Sequence, residues 1–213
     1  MAKYIIGAIL IILVAGSGYY LLKGKGSNPT PASTVEQPAT ETYATSTFAI
    51  TYPADYTVDA SYIYDQVNPK KPISGVKFTI PGTMATGTNL SSDTYLSVEW
   101  LPRAKKCTGD IYLAANVRPR TETLASTTYS VASSTGAAAG NIYDETVYAL
   151  PDSSPCIAVR YFIHSGNIAN YPAAGEPGAV REFDRAALIA AFDTIRASLM
   201  LGSTPAPAPT TTP

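Results

Sequence analysis

One histidine, two cysteines and a few clustered carboxylates are the side chains of this chain whose types and spacing bear on covalent or metal chemistry. His164 would have to serve any Ser–His or Cys–His nucleophilic pair. It ends an apolar run just before Ser165, Gly166 and Asn167, the ordinary place for a polar residue at a loop edge. A zinc site would need His164 together with Cys107, Cys156 and a carboxylate, and the cysteine spacing matches no paired-ligand motif. Paired carboxylates for acid–base work could come from Asp144, Glu145, Glu182 and Asp184. Asp144 and Glu145, however, are consecutive on one strand and point to opposite faces. Glu182 and Asp184 open a helix, where capping explains Asp184 better than catalysis does. Arg103, Lys105 and Lys106 form a basic group after Pro102 that could touch anionic lipid, although a short run of loop charges is usually just solvated. The glycines form no phosphate loop, and residues 136–140 (GAAAG) read as a flexible turn. No catalytic, cofactor-binding or metal-ligating residue is assigned, and no cofactor is expected.

The cysteines have a second use. An exported domain holding two of them favours a disulfide, Cys107 to Cys156, against the alternative of two buried thiols. The bond would close a loop of about 50 residues and, in the loop-entropy account, contribute up to roughly 4 kcal/mol. Bonding requires the two Cα atoms to lie within roughly 7 Å.

Composition narrows the partners. Charge is low, 15% of residues, and balanced at a formal net of −1. Such a chain exerts no long-range pull on polyanions, so nucleic acid is not an expected partner. The polar part is rich in Thr, Ser and Asn, and there are 15 tyrosines. Uncharged polar and aromatic residues suit strands. Tyr95, Trp100 and Tyr112 are the candidate members of an aromatic recognition patch.

Residues 4–22 (YIIGAILIILVAGSGYYLL) carry no charge. As a helix they would span about 28 Å, close to the hydrocarbon thickness of a bilayer. Lys3 precedes the run, Lys23 and Lys25 follow it, and Tyr4, Tyr19 and Tyr20 stand near its ends, where amphipathic rings prefer the interface. Residues 1–25 are therefore read as a transmembrane signal-anchor in the lipid bilayer. The competing reading is a cleaved signal peptide with a small-residue site at Ala15 and Ser17. Against it stand the single lysine before the run and the return of hydrophobicity at residues 19–22. The flanking positive charges nearly tie, so charge alone does not orient the helix. The very short N-terminus and the cysteine pair place the domain on the periplasmic or extracellular side.

Residues 26–46, rich in Thr, Ser, Pro and Ala, read as a flexible linker, and residues 202–213 (GSTPAPAPTTTP) as a disordered Pro/Thr tail. The domain lies between them, at 47–201. Residues 47–53 alternate Phe48, Ile50 and Tyr52 with smaller residues and stop at Pro53, a period of two. Further strands are expected over 56–62, 75–80 and 94–101. Residues 83–93 read as a loop and 110–115 as a short helix. Residues 141–150 and 156–164 form an expected hairpin joined through 151–155. Ala187, Leu188, Ala191, Phe192, Ile195 and Leu199 then fall on one helical stripe over 184–201. Asp184 is the N-cap, Phe183 and Leu188 a hydrophobic staple, and Gly202 the stop. The fold class is α+β: an antiparallel meander covered by a C-terminal amphipathic helix.

The opening F-x-I-x-Y-P of Phe48, Ile50, Tyr52 and Pro53, and the closing A-F-D-T-I with Phe192, Asp193 and Ile195, resemble the PsbP-like family of small α/β/α domains. The resemblance covers the two ends of the domain and implies a non-catalytic scaffold or assembly factor; it carries over no functional residue. Two function classes remain. One is a membrane-anchored, extracytoplasmic interaction or assembly module that meets another envelope protein or a surface polymer. The alternative is an envelope enzyme of hydrolase type with an unrecognised carboxylate site.

Overall fold

A computed structural model describes residues 39–202. The expected anchor at 1–25, the first part of the linker and the tail after residue 202 lie outside the described residues. Among the described residues, no helix is long and apolar enough to cross a membrane.

The alternating segments pair into two antiparallel sheets. The small one orders β1 (Thr40–Ala44), β2 (Phe48–Pro53) and β11 (Met200–Leu201) as β1-β2-β11. The large one has eight strands: β3 (Thr57–Asp59), β4 (Ile63–Tyr64), β5 (Ile73–Thr79), β6 (Tyr95–Leu101), β7 (Arg120–Leu124), β8 (Thr127–Ala138), β9 (Asn141–Leu150) and β10 (Cys156–Gly166). Their order is β3-β5-β6-β10-β9-β8-β7, with β4 beside β5. A single-turn helix α1 (Gly82–Ala85) precedes β6, and the long helix α2 (Arg185–Ala197) follows β10. The chain is thus mostly antiparallel sheet with a C-terminal helix, as the alternation and the late change of period predict.

The pleat sends successive side chains of β6 and β10 to opposite faces. Leu96, Val98, Val159, Tyr161 and Ile163 point to one face and are covered by Phe48, Ile50 and Tyr52 of β2 and by Leu188, Phe192 and Ile195 of α2. The Tyr161 and Phe192 rings meet at 5.2 Å and those of Tyr52 and Phe78 at 4.8 Å, close aromatic contacts within an apolar core. Asp184 caps α2 as expected, accepting from the Ala187 amide at 2.9 Å, and Phe183 and Leu188 are both buried in the same core. The helix ends earlier than the stripe suggests, at Ala197. Ser198 turns the chain into β11, and Gly202, with φ +69°, donates its amide to Thr47.

Several expectations shift. β1 lies inside the segment read as linker: it has little to bury, but it completes the hydrogen-bonding edge of β2, and Glu41 accepts from the Tyr52 hydroxyl at 2.8 Å. The strand expected over 56–62 is cut after Asp59, whose carboxylate accepts from the Ser61 amide and hydroxyl in an Asx-type turn. The helix expected over 110–115 is a 3-10 turn over Gly109–Tyr112. The flexible turn expected at 136–140 shrinks to Ala139 and Gly140, both with positive φ, which is the geometry of a tight hairpin; Gly136 to Ala138 belong to β8. The β7–β8 hairpin was not expected, because its Thr, Ser and Ala residues carry little apolar periodicity.

Candidate functional site

The opposite face of the large sheet is built on other terms. Glu99 of β6 and Arg160 of β10 point into it from the two central strands, with side chains 1% and 0% exposed. Arg160 donates from Nε and Nη2 to the two Glu99 oxygens at 2.7 and 2.9 Å, a bidentate pairing that fixes both groups. Its Nη1 bonds Glu145 of β9, its Nη2 also donates to the Tyr112 carbonyl at 2.6 Å, and its guanidinium lies 3.7 Å from the centre of the Tyr64 ring. Ser97 donates to Glu99, and Tyr64 to Glu145. A buried charge is tolerable only with such complete pairing. Burial by itself draws the Arg160 pKa down, but the Glu99 carboxylate and its hydrogen bonds outweigh this and hold it well above the ordinary arginine value. Gly75, directly opposite Glu99, makes room for this arrangement. A Cβ there would come within 2.9 Å of the Val98 carbonyl and 3.1 Å of both Glu99 and Tyr62.

Above this network opens a cleft of about 520 Å³. Tyr62, Tyr64, Tyr95, Tyr143 and Phe162 wall it, with Glu145 reaching in beside them. The Tyr62 and Tyr95 hydroxyls share a 2.7 Å hydrogen bond, and the Tyr95 and Phe162 rings stack at 4.8 Å. Burial raises the phenol pKa of Tyr62, Tyr64 and Tyr95, so all three are neutral hydrogen-bonding groups at physiological pH. Lys77 lies 5.3 Å from the Tyr62 ring centre.

Cys107 and Cys156 are disulfide-bonded, with Cα atoms 5.2 Å apart across 49 residues of sequence. The bond ties the segment between β6 and β7 down over this face. Gly109 lies so close to β8 and β9 that a Cβ would come within 2.9 Å of three of their backbone atoms. Tyr112, fully buried, donates to the Cys156 carbonyl at 2.7 Å.

The aromatic patch expected from Tyr95, Trp100 and Tyr112 does not exist as one surface. Tyr95 is mostly buried and contributes an edge to the cleft. Tyr112 is interior, locked between the disulfide and Arg160. Trp100 points to the other face and packs on Phe48, ring centres 6.0 Å apart. The pleat separates Tyr95 from Trp100, since one has an odd and the other an even place on β6.

The remaining candidates are absorbed structurally. His164 Nδ1 bonds the Asp93 carboxylate at 2.8 Å, its ring stacks on Tyr143 at 4.5 Å, and Nε2 is buried with no partner among the described residues, so no hydroxyl or thiol is paired to it as a nucleophile. Asp144 and Glu145 do point to opposite faces. Asp144 bonds Thr135 and Arg185, while Glu145 bonds Arg160 and Tyr64. Glu182 is exposed and Asp184 is the helix cap. Among the described residues, no group of three His, Cys, Asp or Glu side chains converges as a metal site would require.

Glu99 and Arg160 were missed as members of a site, and Glu145 was considered only as one of a carboxylate pair. One signal was available: Arg160 interrupts the apolar run Ala158, Val159, Tyr161, Phe162, and a charge in a central strand needs a buried partner.

No family model matches this chain, and no curated protein shows significant similarity to it.

Proposed function

We propose that the chain is a non-catalytic interaction module of the cell envelope. In this reading residues 1–25 hold it in the bilayer, and the domain stands outside the cytoplasm, where the cleft of Tyr62, Tyr64, Tyr143 and Phe162 binds a neutral, hydroxyl-rich surface polymer. One observation carries it: the buried charges at the base of the cleft are already paired. Arg160 is held between Glu99 and Glu145, Lys77 pairs with Asp59, and the two cations already lie against the Tyr64 and Tyr62 rings. An anionic ligand would find no free cation in the lining, where Asp65, accepting from Gln66, is the only charged side chain besides Glu145. A sugar ring stacks on aromatic walls and bonds to hydroxyl, amide and carboxylate groups without bringing charge. The disulfide supports an oxidising compartment. The PsbP-like resemblance, with its scaffold role, points the same way.

The full chain should be retained by insoluble envelope polysaccharide. Substituting Gln66→Ala and Tyr143→Ala at the rim and wall should weaken retention by about tenfold or more, equivalent to ~1.4 kcal/mol. Retention that is absent, or unchanged in both variants, rejects the polymer reading, and steady turnover of the polymer rejects the non-catalytic one. Topology has its own check. A reporter joined after Pro213 should be active only on the outer side, and the protein should stay in membranes after alkaline carbonate washing, with its N-terminus near Met1. A mature chain beginning at Gly18 would show a cleaved signal peptide instead.

A further inference from the structure

A second recess, about 620 Å³, opens near the ends of β5 and β6. Its floor is apolar: Ile73 and Leu101 from the strand ends, with Val67 and Ile111 from the flanking loops. Its rim carries Lys71, Arg103, Lys105 and Lys106, and no carboxylate lines it. None of these four cations makes an ion pair among the described residues, where the seven pairs present use other groups. The chain as a whole has a net charge of −1, so this concentration of unpaired positive charge is local.

The rim is also held in place. Arg103 donates from Nη2 to the Lys71 carbonyl at 2.6 Å and to the Pro72 carbonyl at 3.3 Å, which joins the two loops that carry the cations. Lys105 and Lys106 run directly into Cys107, whose disulfide fixes their loop to β10. Four like charges held around an apolar floor repel one another, and a ligand with a negative head relieves that repulsion. A pre-ordered rim also spares the ligand the entropy of organising it.

We propose that this recess binds a single-chain anionic amphiphile, a fatty acyl carboxylate, with its head at the Lys71, Arg103, Lys105 and Lys106 rim and its chain along Val67, Ile73, Leu101 and Ile111. The volume lies within the range of small-molecule pockets, roughly 300–1,000 Å³, and suits one chain rather than the two of a phospholipid. The site is separate from the tyrosine cleft and stands or falls independently of what binds there.

The test uses the full chain in nanodiscs of zwitterionic lipid, labelled by a photoreactive fatty acid, with the labelled peptides identified by mass spectrometry. Label should fall on peptides carrying Val67, Leu101 or Ile111. Dodecanoate should compete it away, whereas dodecanol and butyrate should not. Replacing the rim by Lys71→Gln, Arg103→Gln, Lys105→Gln and Lys106→Gln should lower the labelling about tenfold while the disulfide and the circular dichroism stay those of the parent. Should that variant misfold, the exposed Lys105→Gln and Lys106→Gln substitutions, made singly, should each still reduce labelling measurably. Equal competition by dodecanol, label elsewhere, or undiminished label in a folded rim variant overturns the proposal. Equal competition by discs containing phosphatidylglycerol overturns it in favour of a bilayer lipid.

Discussion

Leu96, Val98, Val159 and Tyr161 lie beneath α2 and β2, while Ser97, Glu99, Ala158 and Arg160, interleaved with them on the same two strands, lie beneath the disulfide-held segment on the other side. The first face is joined mainly by apolar area, which is non-directional and forgiving of small changes in shape. Its buried charge is Arg196, which donates to Tyr161 and Asp193 and lies against the Tyr129 and Tyr148 rings, beside the apolar contacts rather than at their centre. The second face places a bidentate ion pair at its centre, and its stability depends on each partner being present. A face covered by apolar area alone leaves no hydrogen-bonding groups at the surface. A face built around a paired charge requires tyrosines, carboxylates and carbonyls nearby, and their outer edges form the walls of a cleft. The potential for recognition therefore gathers on the side where packing is most constrained.

The comparison is tested most severely at Glu99. Glu99→Ala leaves Arg160 buried without its bidentate partner and should cost about 3–5 kcal/mol in denaturant unfolding. The double replacement Glu99→Leu with Arg160→Met should regain most of that stability. A loss below ~1 kcal/mol for Glu99→Ala would show that the pair does not organise this face.

Next in size is the disulfide. Replacing both cysteines by Ser should lower stability by about 2–4 kcal/mol. Reductant should lower the melting temperature of the parent and leave the double variant unchanged. Equal sensitivity of the two proteins would mean that the bond does not form in solution.

High pH should act on both faces through their tyrosines. Burial raises the pKa of Tyr56 to about 12, and burial with the neighbouring Glu41 raises that of Tyr52 to about 12. Burial raises Tyr62, Tyr64, Tyr95 and Tyr161 as well. A raised pKa means that the native phenol keeps a proton which the unfolded one releases. The contribution to stability is therefore complete below about pH 10, the unfolded value, and is lost as pH rises through the folded values. Melting temperature should be flat toward neutral pH and fall steeply above about pH 10, with the tyrosinate absorbance appearing together with unfolding. Gradual ionisation without unfolding would contradict the burial of these rings.

The smallest expected effects belong to the apolar face and its helix. Ile195→Val should cost about 0.5–1.5 kcal/mol, because the surrounding side chains can relax around one lost methylene. Asp184→Ala should cost about 1 kcal/mol by removing the cap on the Ala187 amide. Neither should alter binding at the tyrosine cleft, and a change there would mean that the two faces are coupled.

Local chemistry made much of this legible in the residues alone. The alternation over β2, β5, β6 and β10, the β9–β10 hairpin, the opposite pointing of Asp144 and Glu145, the Asp184 cap and the pairing of Cys107 with Cys156 all follow from period, cap chemistry and cysteine count. The separation of Tyr95 from Trp100 was written in the same period of two and overrode the aromatic patch. The β7–β8 hairpin was not legible, because beyond Tyr129, Val131 and Ala132 it buries little apolar surface, and its Thr, Ser and Ala residues form strand by pairing with a neighbour. The partnership of Arg160 with Glu99 joins residues 61 positions apart and depends on the register Ala158↔Glu99 between β10 and β6. The same holds for the gap that Gly75 leaves and for the meeting of Lys71 with Arg103 across two loops. A residue's periodicity determines which way it points along its own strand, but only the alignment of distant strands determines what it faces. That alignment decided where the charge was buried and where the clefts opened.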